Sequence, residues 1–348
     1  WLDNIYPGCG CDIPAHLYSY SFAPNTEWTR MFASQAELLA YFRKQAEQFG
    51  INPKIRFNTK AEHSSFDAKA ACWTVVDSNG ASWTASTLII ATGQLNKPHI
   101  PPISGRERFT GGQFHSARWN YDIPIAGKRV GVVGCGASAV QFIPKIAAEV
   151  GKLIVYQRSA PWVAPRRDVA YDVAIRKLLR IAPIRLALRF SFYLRLEALW
   201  LAIRRPDGRA AKRIAKFISA HLDKQVRDPD LKAKLKPDPP VGCKRIVLSD
   251  DYYPALQRRN VTLETVGISE ITPEGPCLAD GRVDRLDVLI WATGFETHQF
   301  IQPLEVTGLM GQTLSTVWQD GPKAYRGVAV AGFPNMFIVT GPGSPGVK

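Results

Sequence analysis

The sequence lacks any sign of paired cysteine chemistry. Its six cysteines (Cys9, Cys11, Cys72, Cys135, Cys243 and Cys277) form no C-x-x-C pair and no Cys/His cluster at zinc-ligand spacing. That argues against a redox dithiol of the disulfide-reductase kind, and neither a metal site nor a disulfide framework is suggested. A reducing cytoplasm is the compartment such cysteines fit. The chain opens on Trp1 with no methionine and no charged-then-apolar leader. No signal peptide can be read, and the natural N-terminus is expected to lie outside this sequence. No internal repeat of about 20–50 residues stands out. No basic motif interleaved with aromatics points to nucleic acid.

What is present is apolar material and positive charge. Of 348 residues, 46% are hydrophobic and 21% charged, enough for one large core or two domain cores, of which two are expected. The net charge of +14 is compatible with nucleic acid, an anionic membrane surface or an anionic cofactor such as a dinucleotide phosphate. Much of the excess lies between Arg176 and Lys216, where basic residues recur at helical spacing among Leu, Ile and Ala. No uninterrupted run there reaches the ~18 apolar residues of a membrane span. The ordinary reading is a solvated basic face on amphipathic helices, with peripheral membrane contact through basic helices at 170–217 left open.

Hydrophobic periodicity predicts a helix over 35–49, β-prone runs at Ile55–Phe57 and Trp73–Val76, a turn at Asp77–Gly80, and an apolar strand Thr87–Ile90 that runs into Ala91-Thr92-Gly93. The proline-rich stretch Lys97–Gly105 suits neither a helix nor a central strand and is a candidate domain crossing. Lys128–Gly134 reads as a buried strand, the following GASAVQFIPKIAAEVG as a helix, and Lys152–Arg158 as a second strand, which together make one βαβ unit. A helical region is expected at about 170–235. Strands return near Val261–Val266 and Asp287–Trp291, the latter running into Ala292-Thr293-Gly294.

Gly134-Cys135-Gly136-Ala137-Ser138-Ala139 has the form G-x-G-x-x-A and lies between a predicted strand and a predicted helix. The first glycine permits the tight turn, the second lets backbone approach a pyrophosphate, and the small third residue lets helix pack on strand. Amides at the helix N-terminus then face the phosphates. At the end of the next strand, where an NAD site usually carries a carboxylate, stands Arg158 followed by Ser159. A guanidinium suits a 2′-phosphate, so NADPH is expected over NADH.

Three local patterns resemble one family. Phe109, Gly111, His115 and Trp119 fit the F-x-G-x-x-x-H-x-x-x-W fingerprint of Baeyer–Villiger monooxygenases, although Asn120 stands where that family usually has proline or aspartate. The opening Trp1, Tyr6-Pro7-Gly8 and Asp12 resemble a second fingerprint, W-x-x-x-x-[YF]-P-G-x-x-x-D. Gly242-Cys243-Lys244-Arg245, followed by SDDYYPAL, is similar to the subgroup that includes 4-hydroxyacetophenone monooxygenase. Alone, a Lys-Arg pair is ordinarily solvated surface. The resemblance implies an α/β flavoprotein with two dinucleotide-binding domains: a Rossmann-like NADP domain at 104–291, with its helical insertion, set into an incomplete FAD domain at 1–103 and 292–348. It also implies that both ends of the full enzyme lie beyond this sequence, which puts FAD retention by the chain in doubt.

The same resemblance implies that FAD reduced by NADPH takes up O2 at C4a and delivers one oxygen atom to a small-molecule ketone, giving an ester or lactone. Arg245 would be the fixed cation beside the flavin, with Asp12 orienting it. Trp1, Tyr6, Asp12 and Tyr18 would face the flavin. Arg158, Ser159 and Lys244 would hold the 2′-phosphate, and Phe109, Gly111, His115 and Trp119 would couple cofactor position to domain movement. Oxygenation of nitrogen or sulfur, and a noncatalytic NADP-binding chain, are the rival readings.

Overall fold

The structure is a computed structural model and describes residues 1–93, 95–297, 301 and 303–344; the end of the expected third domain stretch, 345–348, lies outside them. The chain divides into two compact units, Trp1–Phe49 with Ile100–Thr293, and Gly50–His99 with Gly294–Lys348.

The first unit is built on a five-stranded sheet in the order Val261–Glu264, Lys152–Tyr156, Arg129–Val133, Val288–Trp291, Gly112–His115, parallel throughout. Strand alternation sorts its side chains onto two faces. Val130, Val132, Leu153, Val155, Val288 and Ile290 enter one core cluster, whereas Ile154, Tyr156, Leu289 and Trp291 enter another. The three central strands, Lys152–Tyr156, Arg129–Val133 and Val288–Trp291, read as near-continuous apolar runs because both faces are covered.

The helix after the glycine motif, α2 (Ala137–Ile146), supplies Val140, Phe142, Ile143 and Ile146 to the first cluster. It follows α1 (Gln35–Gln48), whose start is fixed by a capping box between Ser34 and Glu37. The helical region contains α3 (Val173–Leu179), α4 (Ala182–Ile203), α5 (Arg209–Gln225) and α6 (Pro229–Leu235). Residues from the first 49 positions, including Trp28, Leu38 and Tyr41, share a cluster with Tyr171 and Leu179. The N-terminal segment is therefore packed within the unit that carries the glycine motif.

The second unit holds a four-stranded sheet in the order Glu305–Thr307, Ala61–Asp67, Cys72–Asp77, Ser82–Ala85, and a parallel pair of Leu88–Ile90 with Met336–Ile338. Its core is centred on fully buried Trp73, whose indole N–H donates to the Pro334 carbonyl at 2.9 Å. The expected β-run at Ile55–Phe57 is not a strand. Asn52–Lys54 forms a single 3-10 turn with proline near its start, and Ile55 and Phe57 are exposed. Apolar, β-prone residues without a paired neighbour bury nothing, and the strand begins instead at Ala61, paired with Asp77, and gains a second neighbour from His63 onward.

Candidate functional site

Gly134 ends its strand with φ +107°, and an added Cβ would lie 2.5 Å from the Ala292 carbonyl oxygen. Only glycine fits that close backbone approach. An added Cβ at Gly136 would meet nothing within 4 Å, so the turn is open where a phosphate would approach. Ala137 is exposed and Ser138 half-buried at this rim, while Ala139 is fully buried against the sheet. The Cys135 thiol is pushed up to about 11 by burial, with Lys244 and Arg158 acting in the opposite direction.

Those two cations come from distant parts of the chain, and a short parallel pairing brings them to the same place. Trp162–Ala164 pairs with Ile246–Leu248, with Trp162 opposite Ile246. Ser159 lies three residues before Trp162 and Lys244 two before Ile246, so parallel pairing sets them side by side. The Lys244 ammonium donates a hydrogen bond to the Ser159 hydroxyl. Ser159 is tied to the glycine turn as well, its carbonyl accepting from the Cys135 thiol at 3.3 Å. Arg158 is exposed and Lys244 half-buried. Arg158, Ser159 and Lys244 thus gather at the rim of the Gly134–Ala139 turn.

The opening segment is held to α2 by one side chain that sequence reading did not single out. Gln141 is buried. Its carbonyl oxygen accepts the Tyr6 hydroxyl at 3.0 Å and the Gly10 amide at 3.3 Å. Its amide nitrogen donates to the Gly10 carbonyl and to Asp12, each at 3.1 Å. The available signal was a lone polar residue within the apolar run AVQFI. Tyr6 packs edge-on against Phe142 at 6.0 Å, and burial pushes its phenol well up. Trp1 and Tyr18 form an edge-to-face pair at 5.8 Å, and the Trp1 indole donates to the Tyr18 hydroxyl at 3.3 Å.

Asp12 has an ion-pair partner that the sequence did not reveal. Arg166 lies 3.8 Å from its carboxylate, the two side chains being 19% and 27% exposed. The same guanidinium donates to the Cys11 carbonyl at 3.1 Å and lies 5.2 Å from the centre of the Phe32 ring. Burial raises the Asp12 carboxyl above the ordinary carboxylate value, opposed first by Arg166, then by the Gln141 hydrogen bond and then by Arg245. Arg245, expected to pair with Asp12, opposes this rise less than Arg166 does.

The residues of the Phe109–Trp119 motif hold the edge of the sheet from both faces. Phe109 packs with Ile154, Leu289 and Trp291, and Trp119 with Val130 and Phe142 on the opposite side, its ring centre 5.1 Å from those of Phe114 and Phe142. Between them, His115 accepts the Ala117 amide at 3.0 Å on Nδ1 and so caps the following turn. Gly111 is required by packing, since an added Cβ would lie 2.5 Å from the Phe109 ring and 2.5 Å from the Asp287 carbonyl.

Among the described residues no group of three His, Cys, Asp or Glu side chains is placed to hold a metal, and no helix is long and apolar enough to cross a membrane.

A family profile described as Flavin-binding monooxygenase-like matches residues 5–187. An uncharacterised monooxygenase of Mycobacterium bovis is 40% identical over 99% of this chain and 69% of its own length. A Baeyer–Villiger monooxygenase of Streptomyces coelicolor is 39% identical over 98% of this chain and 66% of its own length. The chain therefore spans about two thirds of the length of these curated relatives. Among solved structures, an oxidised steroid monooxygenase bound to NADP superposes with a TM-score of 0.85 at 32% identity, over 99% of this chain and 74% of that one. With the glycine turn, the basic rim and the aromatic fingerprint assembled on one parallel sheet, and with these likenesses along nearly the whole sequence, the chain belongs to the flavin-binding monooxygenase-like family.

Proposed function

We propose that this chain acts in a FAD-dependent, NADPH-using monooxygenase of the Baeyer–Villiger type, which passes one oxygen atom of O2 to a small-molecule ketone and yields an ester or lactone. The observation that carries the reading is the meeting of Arg158, Ser159 and Lys244 beside the open Gly134–Ala139 turn. Two cationic side chains and a hydroxyl suit a 2′-phosphate, and the turn suits a pyrophosphate at the N-terminus of α2. The half-exposed Trp1–Tyr18 pair and Arg245 suit a planar, partly apolar group with an anionic edge, as FAD is, with Asp12 as counter-charge to the arginine and the buried Tyr6 holding the segment through Gln141. FAD, when bound, supplies the oxygen chemistry. The protein binds and orients its cofactors, keeps water out, and sets a fixed positive charge at Arg245 where negative charge develops. Phe109, Gly111, His115 and Trp119 support the coupling of nucleotide position to domain movement. The free thiols of all six cysteines favour a reducing cytoplasm.

The test is steady-state turnover of the holoenzyme with NADPH and with NADH, analysing ketone, sulfide and amine products. Lys244→Ala should lower kcat/KM for NADPH by roughly tenfold or more and leave the NADH value nearly unchanged, as expected for loss of a charge-assisted contact. Equal kcat/KM for both cofactors in the parent enzyme would refute the NADPH assignment. Oxygen transfer to sulfur or nitrogen with every ketone untouched would refute the Baeyer–Villiger assignment.

A further inference from the structure

Helix α4 is apolar on two sides, burying Phe192 and packing Ile184 and Leu188 against the core while exposing a second apolar stripe. Arg185 and Arg189 point inward, where Arg185 donates to the Leu179 carbonyl at 3.0 Å and Arg189 to the Ser19 carbonyl at 3.2 Å. Leu186, Phe190, Tyr193, Leu194, Trp200 and Leu201 point outward and are 43 to 59% exposed. At about 100° per residue these six fall within roughly one third of the helix circumference, and Glu197 is the acidic residue in that arc. From Pro183 to Leu201 the face runs about 27 Å at a rise of about 1.5 Å per residue. Scattered exposed leucines are ordinary, whereas a contiguous stripe of this length marks a contact surface.

Charge indicates what meets it. From Arg176 to Lys216 there are twelve lysines and arginines against two acidic residues, Glu197 and Asp207; Arg176 and Arg180 pair with Glu27 and Arg185 and Arg189 bond inward, which leaves eight for the surface. Arg204 and Arg205 close the C-terminal end of α4, and Arg209, Lys212, Arg213 and Lys216 are exposed on α5, which packs beside it. Phe217 is exposed on that helix, with the Arg167 guanidinium 5.6 Å from its ring centre. A long apolar face bordered by cations matches the interface of an anionic phospholipid bilayer, where the rings and leucines enter the acyl boundary and the ammonium and guanidinium groups stay among phosphates. A protein partner of ordinary mixed charge leaves most of these cations unmatched.

We propose that the outward face of α4, together with the exposed cations of α5, binds the surface of an anionic lipid membrane without crossing it. This brings the enzyme to membrane-dissolved, apolar substrates, and the binding itself does not depend on the proposed oxygenation. The experiment is co-sedimentation of the purified protein with vesicles of phosphatidylcholine alone and of equal parts phosphatidylcholine and phosphatidylglycerol. Binding is expected to the mixed vesicles and to weaken steeply with added salt. Lys212→Glu with Lys216→Glu should weaken it by roughly fivefold or more per cation. Phe190→Asp with Leu194→Asp should abolish it, while circular dichroism melting stays that of the parent. Absence of parental binding to mixed vesicles, or equal binding to both vesicle types, overturns the proposal. So does self-association of the parent that the Phe190→Asp, Leu194→Asp protein loses, with no vesicle binding, because the face then serves a second copy of the chain. NADPH turnover in free solution is read separately, so failure here leaves the oxygenase reading standing or falling on its own assay.

Discussion

Replacing Arg166 with methionine tests the electrostatics around Asp12 directly. The substitution keeps most of the apolar stem and removes the charge, the 3.8 Å contact with Asp12, the 3.1 Å hydrogen bond to Cys11 and the cation over Phe32. At this separation Coulomb attraction amounts to about 4 kcal/mol for an effective dielectric near 20. Desolvation of both groups offsets much of it, leaving a coupling of about 1–2 kcal/mol for this partly exposed pair. With the lost hydrogen bond, the total is about 3 kcal/mol at neutral pH. Its pH dependence has a definite sign. Burial already raises the Asp12 carboxyl, and Arg166 is the foremost opposing influence. Without Arg166 the folded-state value rises further, so the variant suffers most where Asp12 must be ionised. The deficit should shrink as pH falls and Asp12 takes up a proton in the folded state. Urea denaturation of the parent, Arg166→Met, Asp12→Asn and the double variant, at neutral and mildly acidic pH, measures both quantities. A coupling energy below about 0.5 kcal/mol, or a deficit independent of pH, would show that Arg166 does not act through Asp12.

Two further substitutions probe the frame around the site. Gly111→Ala places a methyl 2.5 Å from both the Phe109 ring and the Asp287 carbonyl, so about 2–3 kcal/mol should be lost in chemical denaturation; a loss under about 0.5 kcal/mol would mean the edge strand yields easily. His16 is buried, and its imidazole is lowered to about 4 by burial, with Arg185 and Arg189 adding to the shift. The unfolded chain therefore takes up a proton that the folded one refuses as pH falls from about 6.5 toward 4, and stability declines across that window by about 2 kcal/mol after allowance for solvent screening. His16→Gln should flatten this part of the stability profile, and an unchanged slope would assign the acid sensitivity to other groups.

Four strands of the parallel sheet were legible, the three central ones as apolar runs set between turns, whereas the edge strand Gly112–His115, of mixed polarity, was not anticipated; the glycine motif was legible because it joined one apolar strand to a helix. Boundaries moved: Lys152–Arg158 narrowed by two residues to Lys152–Tyr156, and the helix after the motif, expected to run to Gly151, ended at Ile146. Ile55–Phe57 failed because strand formation depends on a partner that local composition does not encode. Arg166 and Gln141 were hidden for a related reason. Arg166 lies 154 positions from Asp12, and its role depends on the pairing of Trp162–Ala164 with Ile246–Leu248 and on where the chain goes afterwards. That route is fixed by the Asp250 carboxylate, which accepts the Arg166 and Arg167 amides at 3.0 and 2.8 Å. Ser159 and Lys244, by contrast, each stood in a recognisable local pattern, and the same short pairing brings them into contact.

The Phe109–Trp119 segment carries two physical duties, and their separation follows from the geometry. Phe109 and Trp119 enter core clusters on opposite faces of the sheet, so a one-residue slip of the edge strand would reverse its inward and outward side chains. Each aromatic is thus structural in its own right, and truncating either should cost several kcal/mol before any cofactor is considered. His115 differs, because the hydrogen bond from the Ala117 amide to its Nδ1 is one that an asparagine side chain can imitate through its carbonyl oxygen. His115→Asn therefore keeps the turn while removing Nε2. If the segment relays nucleotide position, this variant should retain the parental melting temperature and lose turnover. If the segment is only a clamp on the edge strand, melting and turnover should both stay at parental values, whereas Phe109→Ala lowers the two together.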